Sequence, residues 1–132
     1  MQTRAAVEAP EDIAGIGLPV LFDYNPGDPL AVSLTFGGEG EDGVVWVIGR
    51  DLLHDGLSEA AGVGDVTAWT GSADRERYYL RLRTGASFTL FTFETRMIET
   101  YLWQTYASIP AGAELPTAAL DAELSAIFGE VA

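Results

Sequence analysis

The chain has 132 residues, the length of one small domain, and 48% of them are hydrophobic, enough for a single core. Twenty Asp and Glu oppose seven arginines and no lysine, for a formal net charge of −13. That balance argues against non-specific nucleic-acid binding, which needs Lys and Arg to neutralise phosphates, and against electrostatic attachment to an anionic membrane. With no cysteine there is no disulfide, thiolate metal site or cysteine nucleophile. A single histidine, His54, removes most zinc sites and any Ser-His-Asp triad that does not use it. Met1 to Glu8 lacks the apolar core of a secretory signal, and no run approaches the roughly 18 apolar residues of a membrane span. The expected location is cytoplasmic.

One domain over residues 1–132 is expected, with residues 1–17 poorly defined: Ala5 to Ala9 suits a short strand that Pro10-Glu11-Asp12 breaks. Leu18 to Tyr24 reads as a strand, and Asn25-Pro26-Gly27-Asp28-Pro29 as a turn, since each residue fixes φ or bonds its own backbone. Leu30 to Phe36 alternates apolar and polar residues, the period of a strand with one buried face. Residues 37–43 form a glycine-rich acidic hairpin loop. Val44 to Ile48 is apolar on both faces, which predicts a strand covered on both. Asp51 is expected to cap a short helix over Arg50 to Leu57, and Gly56 to end it. Gly62-Val63-Gly64-Asp65 makes a turn before a strand over Val66 to Thr70.

Tyr78 to Arg83 and Ala86 to Phe93 form a hairpin around Thr84-Gly85. A two-residue turn there pairs Arg81 with Phe88, Tyr79 with Leu90 and Arg77 with Thr92. The other face pairs Leu80 with Thr89 and Tyr78 with Phe91. Neither face is purely polar, so cover is expected on both. Met97, Ile98, Tyr101, Leu102 and Thr105 fall at helical spacing, and Ile109-Pro110-Ala111-Gly112 stops that helix. Leu120, Leu124, Ile127 and Phe128 predict a second helix over Thr117 to Phe128. Strands first and helices last read as α+β with antiparallel sheets.

No catalytic constellation emerges. His54 beside Asp51 or Asp55 is a candidate base, but no nucleophile motif accompanies it, and the polar side of a short helix explains it better. The acidic clusters Glu39/Glu41/Asp42 and Asp23/Asp28 lack the spacing of a calcium loop, and the glycines at 37–40 lack the Gly-Lys-Ser/Thr that holds a phosphate. No catalytic, cofactor or metal site is assigned. Charge is more informative. Residues 1–70 hold twelve acids and two arginines, whereas residues 71–99 hold four acids and five arginines. Arg75, Arg77, Arg81 and Arg83 share parity with Tyr79, so one unbroken strand places all five on one face. That strip is a candidate interface for an acidic partner or a second subunit, against the alternative of ordinary cross-strand ion pairs. Trp46 belongs to the core by its neighbours. Trp103 lies off the helical stripe and is the best single candidate for an exposed or interfacial aromatic.

The run Tyr24-Asn25-Pro26-Gly27-Asp28-Pro29-Leu30-Ala31-Val32, then Trp46 to Arg50-Asp51-Leu52-Leu53 and Gly56-Leu57, then Gly62-Val63-Gly64-Asp65-Val66, resembles a specific pattern. It is similar to the SsgA/SsgB-like family of sporulation and cell-division proteins of filamentous actinomycetes, over roughly residues 18–128. Tyr101-Leu102-Trp103-Gln104-Thr105 and Ile109-Pro110-Ala111-Gly112 continue the likeness. The resemblance implies a whirly-like fold of antiparallel sheets with packed helices, assembled as a homotrimer. It implies a non-enzymatic role in septum-site selection and septum formation, through FtsZ or a paralogous SsgA-like protein. The protein would act at the septum, and meet the membrane only through partners. The whirly likeness raises single-stranded nucleic-acid binding as the alternative, against which the charge argues. The family's long first strand is poorly represented here, and a basic pair near Trp103-Gln104 is absent. For the signature residues Tyr24, Asp28, Pro29, Trp46, Arg50, Asp51, Leu52, Leu53, Gly56, Leu57, Gly64 and Asp65, turn and core chemistry is the leading expectation. Arg50 in particular is expected to tie the short helix to the Gly62–Asp65 loop.

Overall fold

A computed structural model describes residues 1–37 and 43–113. Seven strands run β1 (Gln2–Ala9), β2 (Gly17–Asp23), β3 (Ala31–Phe36), β4 (Val44–Gly49), β5 (Val66–Thr70), β6 (Arg77–Thr84) and β7 (Ser87–Glu94). A 3₁₀ turn (Glu11–Ile13) and two helices, α1 (Arg50–Asp55) and α2 (Thr95–Ser108), complete the described elements. The strands form one antiparallel sheet in the order β4-β3-β2-β1-β7-β6-β5. An α+β architecture with an antiparallel sheet is therefore observed, as one sheet rather than several. The helix expected over residues 117–128 lies outside the described residues.

Alternation along the strands sends one side of each into the core: Val20 and Phe22, Val32 and Leu34, Tyr78, Leu80 and Leu82, Phe91 and Phe93. The sheet curls around this face. Phe36 of β3 and Phe91 of β7 are separated by two intervening strands, about 14 Å on a flat sheet. Their ring centroids nevertheless stand 4.5 Å apart. β1 presents Thr3 and Ala5 to the same face, small enough for Phe22 of β2 and Phe93 of β7 to meet edge to face at 5.6 Å. Ile98, Tyr101 and Leu102 of α2 and Leu53 of α1 fill the hollow of the curl.

Three expectations change. The N-terminal segment is an eight-residue strand at the centre of the sheet, paired on one side with β2 and on the other with β7. The expected strand over Ala5 to Ala9 ends before Pro10 as anticipated but starts earlier, at Gln2, where polar residues carry little hydrophobic signal. β4 is an edge strand rather than one covered on both faces. Val44, Val45 and Val47 are 58%, 59% and 63% exposed, while Ile48 is buried and Trp46 packs against the core as a half-buried side chain. A β-branched run looks the same in a central and an edge strand, and topology decides between them. The β6–β7 turn is Gly85-Ala86, with Arg83 opposite Phe88, Arg81 opposite Leu90 and Tyr79 opposite Thr92. Gly85 has φ of 72° and occupies the first central position, where a type II′ turn needs glycine. Relative to the expected pairing the partners move two residues along β7, which preserves the faces.

Ala5 is buried on the inner face of the central strand, so replacing it by leucine forces a larger branched side chain into the packed core. The expected loss is about 1–3 kcal/mol of unfolding free energy, read from urea denaturation, with the denaturant dependence unchanged.

Candidate functional site

The two helices are joined at a buried arginine. α1 starts directly after β4, with Gly49 as its N-cap and no side-chain cap; Asp51 lies in the first turn and does not cap it. Arg50, its first residue, is 0% exposed. Its Nη1 donates to the carbonyl oxygens of Ile109 (2.7 Å) and Thr105 (3.1 Å) and to the Tyr24 hydroxyl (3.1 Å). The guanidinium also lies over the Tyr106 ring at 4.0 Å and the Tyr24 ring at 5.5 Å. The carbonyls belong to the C-terminal end of α2, where orphan acceptors and the negative end of the helix dipole favour a cation. Tyr24 passes the network on, donating to the Pro29 carbonyl at 3.0 Å. Tyr24, Pro29 and Arg50, three signature residues, are thus one structural unit. Arg50 ties α1 to the end of α2 and to the 25–29 turn, not to the Gly62–Asp65 loop.

The far end of α1 is fixed from below. Tyr78 is buried and donates to the Leu53 carbonyl at 2.7 Å. Gly56 ends α1 for reasons of space, since a Cβ there would stand 2.8 Å from the Tyr78 hydroxyl and 3.0 Å from Ala68 Cβ. Its φ of −59° makes no demand for glycine. Gly64, by contrast, has open space around it and a φ of 76°, so conformation is what requires it. Leu53 is buried and Leu52 and Leu57 pack against the core. Asp65 accepts from Arg83 Nε at 2.7 Å. Asp28 sits in the 25–29 turn, its N–H bonded to the Asn25 carbonyl.

With α1 and α2 locked, a concavity of about 510 Å³ opens between them. Leu57, Leu102, Trp103, Tyr106 and Pro110 give it an apolar wall, and Asp51 and Glu99 line it with carboxylates. Trp103, the best single candidate for an exposed aromatic, is 72% exposed rather than packed under a loop. The Tyr106 hydroxyl donates to Asp51 Oδ1 at 2.9 Å, and His54 meets the Tyr106 ring edge-on at 5.4 Å. His54 Nδ1 is 3.7 Å from Asp55, both exposed on the polar side of α1. Tyr106 and Glu99 were missed by sequence reasoning. Their signal was present: Glu99, Trp103 and Tyr106 recur at one-turn intervals along a second face of α2, beside the core stripe, with Pro110 just beyond its end.

The arginine strip is partly realised. Arg77, Tyr79, Arg81 and Arg83 share the outer face of β6, but Arg75 belongs to the preceding turn and is off the strand. Arg83 pairs with Asp65, and Arg77 is 4.0 Å from Asp74. The Arg81 and Arg83 guanidinium groups lie 4.2 and 4.6 Å from the Phe88 ring centre, and Trp69 stacks on Tyr79 at 5.5 Å. Cross-strand pairing accounts for much of this charge.

The described residues define a small curled-sheet protein with an apolar-walled concavity between two helices. Among them no group of three or more His, Cys, Asp or Glu is placed to hold a metal ion, and no helix is long and apolar enough to cross a membrane. Residues 18–114 match the family described as Streptomyces sporulation and cell division protein, SsgA, and the chain belongs to that family. It is 34% identical over 118 residues to the sporulation-specific cell division protein SsgB of Streptomyces coelicolor, covering 89% of this chain and 86% of the relative. It is 34% identical over 106 residues to SsgB of Frankia casuarinae, covering 80% and 74%. The crystal structure of an SsgA-like sporulation-specific cell division protein from Thermobifida fusca superposes with a TM-score of 0.80 at 26% identity, covering 96% of this chain and 93% of that one. This is a family of cell division proteins rather than of enzymes.

Replacing Arg50 by methionine keeps the stem's volume but takes the donor from the Ile109 carbonyl and leaves Thr105 only its bond from the Ile109 N–H. Unfolding free energy should fall by about 1–3 kcal/mol, and lysine should not restore it, since an ammonium lacks the flat guanidinium that lies over the Tyr106 and Tyr24 rings. Alkaline pH gives a second test. Burial raises the Tyr78 phenol, and burial followed by the Asp23 and Tyr24 charges pushes Tyr101 up to about 12. The folded state therefore holds these protons more tightly than the unfolded chain. Stability should be constant below about pH 10 and decline as pH rises through 12, less steeply in Tyr78→Phe, by urea titration across that range.

Proposed function

We propose that this protein is a non-enzymatic adaptor of sporulation cell division. On this reading it controls septum-site selection and septation by recruiting or positioning FtsZ, directly or through a paralogous SsgA-like protein. It acts in the cytoplasm at the septum. The observation that carries the reading is the exposed Trp103 on the wall of the α1–α2 groove. Trp103 does not stand alone but joins Leu57, Leu102, Tyr106 and Pro110 in one apolar wall, and aromatics in such a patch are the usual anchors of protein interfaces. The groove is supported by residues of the family signature, Arg50, Asp51 and Leu57 among them. Relatives named for sporulation-specific cell division support the process. Assembly as a homotrimer would present three copies of the groove and strengthen weak contacts through avidity.

The outer face of β6 gives single-stranded nucleic-acid binding its one supporting observation. The Trp69–Tyr79 stack beside Arg81 is the kind of platform on which bases stack. The net charge opposes it.

Purified protein should co-sediment with polymerised FtsZ, or with a paralogue that does so, and light scattering should report a trimer at micromolar concentration. A strain lacking the protein should misplace or omit septa. Normal septation together with no contact to FtsZ or a paralogue would remove the adaptor reading. Single-stranded DNA should not shift in gels at about 50 mM salt, where electrostatic binding is strongest; a shift abolished in Arg81→Glu would favour the alternative.

A further inference from the structure

We propose that the α1–α2 groove takes a short amphipathic helix with a basic face: apolar side chains against Leu57, Leu102, Trp103 and Tyr106, and Lys or Arg beside Asp51 and Glu99. The inference rests on the adaptor reading and names the chemistry of the segment the adaptor binds.

Shape is the first argument. The concavity lies between two helices that cannot close on each other, because Arg50 fixes α1 to the end of α2 and Tyr78 fixes it to the sheet. A volume of about 510 Å³ suits a few large apolar side chains from one face of a helix. The wall is already assembled. Tyr106 is held by its bond to Asp51 and by the Arg50 guanidinium over its ring, so little side-chain freedom is lost on binding.

Charge selects the occupant. Among the described residues the ionised groups lining the groove are Asp51 and Glu99, with Asp55 exposed beside His54 on the same helix. Arg96 stands one turn before Glu99, while Arg50 is buried beneath the wall. The chain as a whole carries −13. An acidic amphipathic segment would meet repulsion both at the rim and at long range, whereas a basic one is steered in and paired on arrival. Asp51 accepts from Tyr106 through one oxygen, and a carboxylate has further lone pairs for an incoming cation.

The test uses the full chain and three labelled synthetic peptides of about 14 residues, or four helical turns. One is Leu/Lys with its leucines on one helical face, one is Leu/Glu with the same pattern, and one is lysine only. Fluorescence anisotropy should show the Leu/Lys peptide binding at least about tenfold more tightly than either other peptide. Trp103→Ala should weaken it about tenfold, as should Asp51→Asn combined with Glu99→Gln. Glu8→Gln combined with Asp12→Asn, which removes the same charge elsewhere, should leave binding unchanged. Trp103 is exposed and asparagine can still accept from Tyr106, so circular dichroism should show these variants folded. Equal binding of the lysine-only peptide, tighter binding of Leu/Glu, or no effect of Trp103→Ala would overturn the inference. FtsZ sedimentation that persists in Trp103→Ala would overturn it while sparing the adaptor reading. Peptide binding without any FtsZ or paralogue contact would do the reverse.

Discussion

Arg50 is the constraint on which the site depends. A guanidinium placed out of solvent is costly unless hydrogen bonds and aromatic faces answer its charge, and here two distant segments, the 105–109 end of α2 and Tyr24, supply them. The carbonyls of Thr105 and Ile109 lie 55 and 59 residues away, the Tyr24 hydroxyl 26 residues away, and two tyrosine rings cover its faces. α1 has only six residues and could not persist alone. It holds its place because its first residue is bonded to α2 and the carbonyl of Leu53 to Tyr78. The groove is the space left between elements locked in this way.

The sheet supplies the platform. Its curl brings β3 and β7 side chains together and makes a hollow that α2 fills with Ile98, Tyr101 and Leu102. The inner face is spent on this core. The outer face of β6 is occupied largely by its own ion pairs and ring contacts. The groove beside Trp103 combines large exposed aromatic area, apolar neighbours and charge of one sign, which is why the functional reading centres on it.

Much of the fold was legible where periodicity is strong. The strand over Val66 to Thr70, both strands of the last hairpin and the buried stripe of α2 all follow from spacing alone. What failed depended on distant partners. The valines of β4 cannot say whether a neighbour lies beyond them, and Ala5 reads as unremarkable until strands on both sides bury it in the core. The hairpin turn moved by one residue because Gly85 takes the first central position. In the site, Trp103 stood out by leaving the stripe. Arg50 did not, because an arginine beside an aspartate reads as solvated, and its burial rests on contacts made across more than fifty residues. The motif marked it as part of a pattern without saying what it holds.

The most direct test of this account is native-state hydrogen exchange in Arg50→Met beside the parent chain. If Arg50 holds α1 to the end of α2, the amides of residues 49–56 and 105–109 should lose protection together, while those of β6 and β7 stay the most protected in the molecule. Loss confined to α1, with the end of α2 as protected as before, would contradict it.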